Sequence, residues 1–145
     1  MDKIIPIIIA YFLGSIPSAY LIAKNRGVNL LSKVENGRLG TASVGRTVGK
    51  GAEFLVGAMD FCKGALSVMI ADKMSGGEEW VIVLAGTAAI IGHNWSIFLH
   101  FLGGKGAATT FGNLFYLLPK PFLLAGFITA IPSLFLRQKS KFSVP

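Results

Sequence analysis

The sequence predicts an all-α fold: a polytopic membrane bundle of about four to five transmembrane helices joined by glycine-rich cytoplasmic loops. Three observations predict it. Of the 145 residues, 52% are hydrophobic, and the mean hydropathy is +0.62. Only 14% are charged, against about 25% in an ordinary soluble domain. The apolar residues are gathered into runs near the roughly 20 residues that cross a hydrocarbon core. At this length a single domain, residues 1–145, is expected.

The first run, residues 4–23, carries no charge. It continues through Tyr20, Leu21 and Ile22 straight into Lys24, without the short core and cleavage site of a signal peptide. It reads as a retained transmembrane helix. The second run, 52–71, is interrupted by Asp60 and Lys63, and the third, 80–102, contains no Asp, Glu, Lys or Arg. The fourth, 107–136, is broken by Pro119, Lys120 and Pro121. It predicts either one kinked helix or a half-helix followed by a short span. Gly14, Gly57, Gly64, Gly86 and Gly92 fall within the runs, where small residues let membrane helices approach.

Fourteen basic and seven acidic residues give a net charge of +7. The segment 24–51 holds Lys24, Arg26, Lys33, Arg38, Arg46 and Lys50 against one acid, Glu35. The positive-inside rule makes this loop cytoplasmic, puts the N-terminus outside, and makes the loop around Lys105 cytoplasmic too. A single crossing through the fourth run would place Arg137, Lys139 and Lys141 outside, against the rule; a re-entrant segment from Pro119 is the alternative. The expected location is the inner (plasma) membrane, with membrane lipids as surroundings. No basic strip interleaved with aromatics suggests nucleic acid. Cys62 has no partner cysteine, no Cys/His cluster suggests zinc, and no cofactor motif is present. Cys62 is expected to be a small buried residue.

Four constellations could carry chemistry. The loop from Asn36 to Lys50 combines Gly37, Gly40, Gly45 and Gly49 with Arg38 and Arg46, and with the hydroxyls of Thr41, Ser43 and Thr47. Glycines let backbone N–H groups form a concave anion nest, and arginine pairs with phosphate oxygens. An ordinary topology-fixing loop has the same composition. In the second, Gly103, Gly104 and Gly106 surround Lys105 just before an apolar helix. Phosphate suits that place, as does a flexible turn. The third, His93-Asn94, sits inside an apolar run and needs polar partners, either as interhelical glue or as part of a cavity. In the fourth, Asp60 and Lys63 are three apart on one helical face and can pair. No Ser/His/Asp arrangement is visible, so chemistry here would rest on anion binding and positioning.

As a set, these motifs resemble the membrane-bound acyl-phosphate:glycerol-3-phosphate acyltransferases. The resemblance runs from about Tyr11 to Thr109. It takes in Gly14-Ser15-Ile16-Pro17 with Tyr20-Leu21-Ile22, the loop ending Arg46-Thr47-x-Gly49-Lys50, Asp60-x-x-Lys63-Gly64, Gly92-His93-Asn94, Phe98-Leu99, and Gly103-Gly104-Lys105-Gly106 with Ala108-Thr109. It implies transfer of an acyl group from acyl phosphate to the 1-hydroxyl of glycerol 3-phosphate, giving lysophosphatidic acid without a cofactor or metal. Arg46 and Lys105 match the family's functional arginine and lysine. Asn36, Gly37, Gly40, Thr41, Ser43, Thr47, His93, Asn94, Gly103, Gly104 and Gly106 fall on its substrate-binding motifs. The substrate phosphate would take the proton of the attacking hydroxyl.

The chain departs from the family pattern in places. The family loop usually begins Gly-Ser-Gly-Asn and continues Gly-Ala-Thr-Asn, whereas here it reads Glu35-Asn36-Gly37-Arg38 and Gly40-Thr41-Ala42-Ser43. Asn36 therefore stands at the family's functional serine. The family also continues, past the position of Pro145, with a further span and a tail bearing a functional His and Asn. Two other readings compete. One is a catalytically silent member that binds anionic lipid or assembles with a protein partner. The other is a small transporter or channel with Asp60 and Lys63 in its path.

Overall fold

The computed structural model describes residues 2–33 and 39–126. The expectations placed on Asn36, Gly37 and Arg38, and on Arg137, Lys139 and Lys141, lie outside them. The described residues are helical, with one isolated β-bridge between Ser96 and Leu102.

Proline decides the first element. The sequence predicts one helix over 4–23, but the structure gives two, α1 (Ile5–Ser15) and α2 (Ser18–Asn25). Pro17 has no N–H to continue the ladder, and its ring drives Ile16 out of the helical region to φ −56°, ψ 117°. The two together still form an apolar stretch, Ile5–Asn25, of 21 residues, enough for a crossing. The carbonyls at the break find donors, as buried backbone acceptors require. Ser96 Oγ donates to Ser15 O, and Lys63 Nζ donates to Ile16 O at 2.9 Å.

The basic segment 24–51, expected as loop, contains two short helices, α3 (Leu30–Lys33) and α4 (Thr41–Thr47). Leu30, Leu39 and Val44 anchor it in a core with Ala19, Ala23, Ala52, Val56 and Leu99. Next, α5 (Lys50–Ser75) runs 26 residues, about 39 Å at 1.5 Å per residue. It outreaches the predicted 52–71 and closes on Gly76 in the left-handed conformation.

The third run is shorter as a helix than predicted. α6 (Glu79–Asn94) has 16 residues, after which the chain turns through a 3₁₀ segment at Ile97–Leu99. His100 and Phe101 take positive φ values of 52° and 64°. Phe101 N–H donates to Ser96 O, so the chain folds back on the end of α6 instead of extending it. α7 (Ala107–Leu117) follows and stops at Leu118, before Pro119; residues 119–126 are again helical.

α1 packs chiefly on α6, and α5 on α7 and α6. Two glycine-lined seams make this possible. A Cβ on Gly14 would strike the backbone of Ala89, and one on Gly92 the backbone of Tyr11 and Ser15. On the other seam, Gly64 rests on Thr109 and Gly112 on Phe61, again against backbone. Close backbone approach at small residues is how helices associate where no hydrophobic effect drives them together.

Exposure departs from that of a soluble protein. Ile8, Phe12, Phe54, Leu66, Val83, Phe111 and Leu124 lie outside, while Ser15, Ser18, Asp60, Lys63, Ser67, His93, Thr109 and Asn113 are buried. Cys62 belongs to the outer set: it is exposed, not buried as predicted, because it lies on the side of α5 turned away from the other helices. At one end of the bundle Lys3 pairs with Glu78, which also accepts from Trp80 Nε1 at 2.8 Å. The hydrogen bond from Lys3 holds the Glu78 carboxyl below its usual range. That tie is therefore complete at neutral pH and is lost as pH falls through the lowered value.

Gly92→Val should cost about 1–3 kcal/mol by overpacking the α1–α6 seam. Gly51→Ala, where a Cβ meets nothing within 4 Å, should be harmless. Melting in detergent checks both, and an unchanged midpoint for Gly92→Val would contradict such close packing.

Candidate active site

Three helices converge on Asp60, which is 1% exposed. Its Oδ1 accepts from Ser18 Oγ of α2 at 2.9 Å and lies 2.9 Å from Lys63 Nζ one turn along α5. His93 of α6 brings Nδ1 to 3.6 Å from the same oxygen, longer than a hydrogen bond. The predicted pairing of Asp60 with Lys63 is therefore present, and its surroundings join two constellations that stand 30 residues apart in the chain. The break at Pro17 makes the junction. It starts α2 at Ser18, aimed at Asp60, and exposes Ile16 O to Lys63.

The cluster lines a small, partly open cleft. Ser15 to Tyr20, Leu39, Ser96, Leu99, Leu102, Gly103 and Gly104 line the rest. Ser15 Oγ and Asn94 Oδ1, like His93 Nδ1, are buried without a hydrogen-bond partner among the described residues.

The lysine loop sits on the end of α6. Gly104 N–H donates to His93 O at 3.0 Å. A side chain at Gly103 would strike the His93 and Asn94 carbonyls, and one at Gly104 the His93 ring. Gly106, at φ 75°, meets the Asn94 side chain and opens α7, whose Thr110 N–H it accepts at 2.8 Å. His93, Asn94, Gly103, Gly104 and Gly106 therefore form one assembly, and Lys105 is held at its exposed rim.

Among the described residues, the arginine loop joins it through a backbone hydrogen bond from Leu39 N–H to Gly103 O at 2.8 Å. Gly40 follows and opens α4, whose N–H groups at Ser43 and Val44 point back to its carbonyl. Thr41 is half-buried, Ser43 is buried, and Thr47 donates its hydroxyl to Ser43 O at 2.8 Å. Arg46 lies exposed in the last turn of α4. Among the described residues, neither Arg46 nor Lys105 has an ion pair, whereas Lys50 is paired with Glu53 at 2.6 Å. Ser18 and Ser96, which tie the helix break into the site, escaped sequence reasoning; the signal was Pro17 itself, which requires new partners for the carbonyls before it.

The family model for glycerol-3-phosphate acyltransferase matches residues 4–144. The glycerol-3-phosphate acyltransferase 1 of Deinococcus radiodurans is 41% identical over 139 residues, covering 95% of this chain and 68% of that protein. This chain belongs to the glycerol-3-phosphate acyltransferase family. A Dehalococcoides mccartyi member is 46% identical over 114 residues, covering 78% of this chain and 54% of that one. Among solved structures, PlsY (YgiH), an integral membrane glycerol 3-phosphate acyltransferase in its glycerol 3-phosphate form, superposes with a TM-score of 0.81. It is 37% identical, covering 93% of this chain and 67% of the other. The lysophosphatidic acid form of PlsY superposes at 0.76 with the same identity. The chain thus spans roughly half to two thirds of the length of these relatives. The expected all-α membrane fold is that of the family.

Lys63→Met should cost about 3–5 kcal/mol, because it leaves the Asp60 carboxylate buried without its cation. The double variant Asp60→Asn/Lys63→Met should recover much of that loss. Melting curves of the three proteins check it; a Lys63→Met protein that melts with the parent would contradict a charged pair at this place.

Proposed function

We propose that this chain transfers a fatty acyl group from acyl phosphate to glycerol 3-phosphate, forming lysophosphatidic acid. The work is done at the cytoplasmic face of the inner membrane by a single domain. The observation that carries the reading is the bond from Leu39 to Gly103, which sets two glycine-rich cationic loops side by side. Arg46 and Lys105, both exposed and without an ion pair among the described residues, supply two positive charges for a reaction with two phosphates. The names of the relatives and the ligand forms of PlsY support the same substrate class.

In this reading Lys105 and Arg46 neutralise the two phosphates, while Gly40, Thr41, Ser43, Thr47 and the Gly103-Gly104 backbone shape the binding surface. Asn36 and Gly37 belong to the same loop. His93 and Asn94 form the wall behind the lysine. The substrate's 1-hydroxyl oxygen attacks the acyl carbonyl carbon, and a new C–O ester bond forms. The bond between that carbon and the phosphate oxygen breaks, and the electron pair leaves with inorganic phosphate, which takes the hydroxyl proton. Neighbouring cations favour this route by stabilising the departing phosphate and by holding the reactants in line.

Asn36 in place of the family serine, next to the acidic Glu35, favours a second reading, a silent member that binds anionic headgroups. Transfer of labelled glycerol 3-phosphate to lysophosphatidic acid, with synthetic acyl phosphate and protein in detergent, separates the two. Product is expected, with Lys105→Ala and Arg46→Ala each lowering kcat/KM at least about 100-fold. No product, beside an active relative in the same assay, would sink the first reading. Product indifferent to both substitutions would sink the site.

A further inference from the structure

His93 joins two parts of the molecule. On one side, Nδ1 stands 3.6 Å from Asp60 Oδ1, buried and without a hydrogen-bond partner among the described residues. On the other, the ring lies where a Cβ on Gly104 would stand, and the His93 carbonyl accepts the Gly104 N–H. Gly103 rests on the carbonyls of His93 and Asn94. Lys105 follows directly in the chain.

We infer that Asp60 is a positioning residue for the lysine loop: it fixes the His93 imidazole, and that imidazole is the seat on which Gly103-Gly104 set Lys105. This deepens the acyltransferase reading and rests on it for the role of Lys105. The physical reason is rigidity. Asp60 is itself held by Ser18 and Lys63, from two different helices, so its carboxylate is a fixed reference point. A carboxylate 3.6 Å from Nδ1 acts by electrostatic attraction and favours the ring orientation that turns this nitrogen toward it. A glycine backbone packed directly on that ring inherits the orientation, with no side chain to absorb movement. A preset loop spends less binding free energy on ordering when phosphate arrives. The absence of a side chain at Gly104 is therefore required by contact with His93 as well as by approach to an anion.

The chain has two histidines, so His100→Gln leaves His93 as the only imidazole in a ¹⁵N-histidine spectrum of the full chain in detergent. In that background, Asp60→Asn and Gly104→Ala should each shift the ring nitrogens of His93, and Asp60→Glu should restore much of the parent position. Unchanged resonances in either Asp60→Asn or Gly104→Ala overturn the proposal, because it needs both contacts. If Asp60→Asn yields no folded protein, Ser18→Ala replaces it, since it releases one of the two holders of Asp60. This spectrum reads the network whether or not the chain turns over, so its failure is distinct from failure of the acyltransferase reading.

The kinetic arm is a cycle on kcat/KM for glycerol 3-phosphate. Asp60→Asn and Gly104→Ala should each cost about tenfold, and together little more than the worse of the two, because both act through one ring. Factors that multiply to about a hundredfold would mean independent damage and would overturn the inference.

Discussion

A buried ion pair in the middle of a lipid-facing helix organises this molecule. Asp60 and Lys63 sit one turn apart in α5, both almost wholly out of solvent. Two charges in such a place are expensive unless each is fully partnered. The fold supplies the partners by breaking another helix. Pro17 interrupts the first crossing, and the interruption frees Ile16 O for the lysine and begins a new helix at Ser18, whose hydroxyl reaches the aspartate. The defect in one helix and the charge in the other satisfy each other.

From that point the geometry of the cationic site follows in short steps. The aspartate faces His93, the histidine carries the loop at Gly103 and Gly104, and the loop carbonyl of Gly103 takes the Leu39 N–H. Leu39 is also a core residue, packed with Val44 of α4, so the short helix bearing Arg46 is anchored to the same frame as Lys105. Two loops far apart in the chain are joined, among the described residues, by a backbone hydrogen bond and a small apolar core. Loops assembled in this way stay aligned because their supports are packed helices.

The outside of the bundle serves a different end. Phe61, Phe111, Phe115 and Phe122 form a chain of ring contacts across α5, α7 and the helical residues after Pro119. Many large apolar side chains are carried on the exterior, and small and polar residues join the apolar core inside, because the surrounding medium is as apolar as the side chains themselves. What holds the interior together is close backbone contact at Gly14, Gly64, Gly92 and Gly112, together with hydrogen bonds such as that from Asn113 Nδ2 to Gly86 O at 2.9 Å.

The sequence by itself determined the class of fold, the pairing of Asp60 with Lys63 and the position of the two cationic, glycine-rich segments along the chain. Each of these is encoded locally: long apolar runs, a three-residue spacing, glycines around a lysine. It could not show that residues 95–102 turn back rather than extend a helix, or that segment 24–51 is partly helical, because the same residues suit helix, turn and core. Cys62 was misplaced for a related reason, since hydropathy does not say which face of a helix meets lipid. Only the tertiary structure decided that Asp60, His93 and the Gly103-Gly104 loop form one assembly. Those residues lie on separate elements, and their contact depends on how far glycine allows three helices to approach, a quantity that no single stretch of sequence contains.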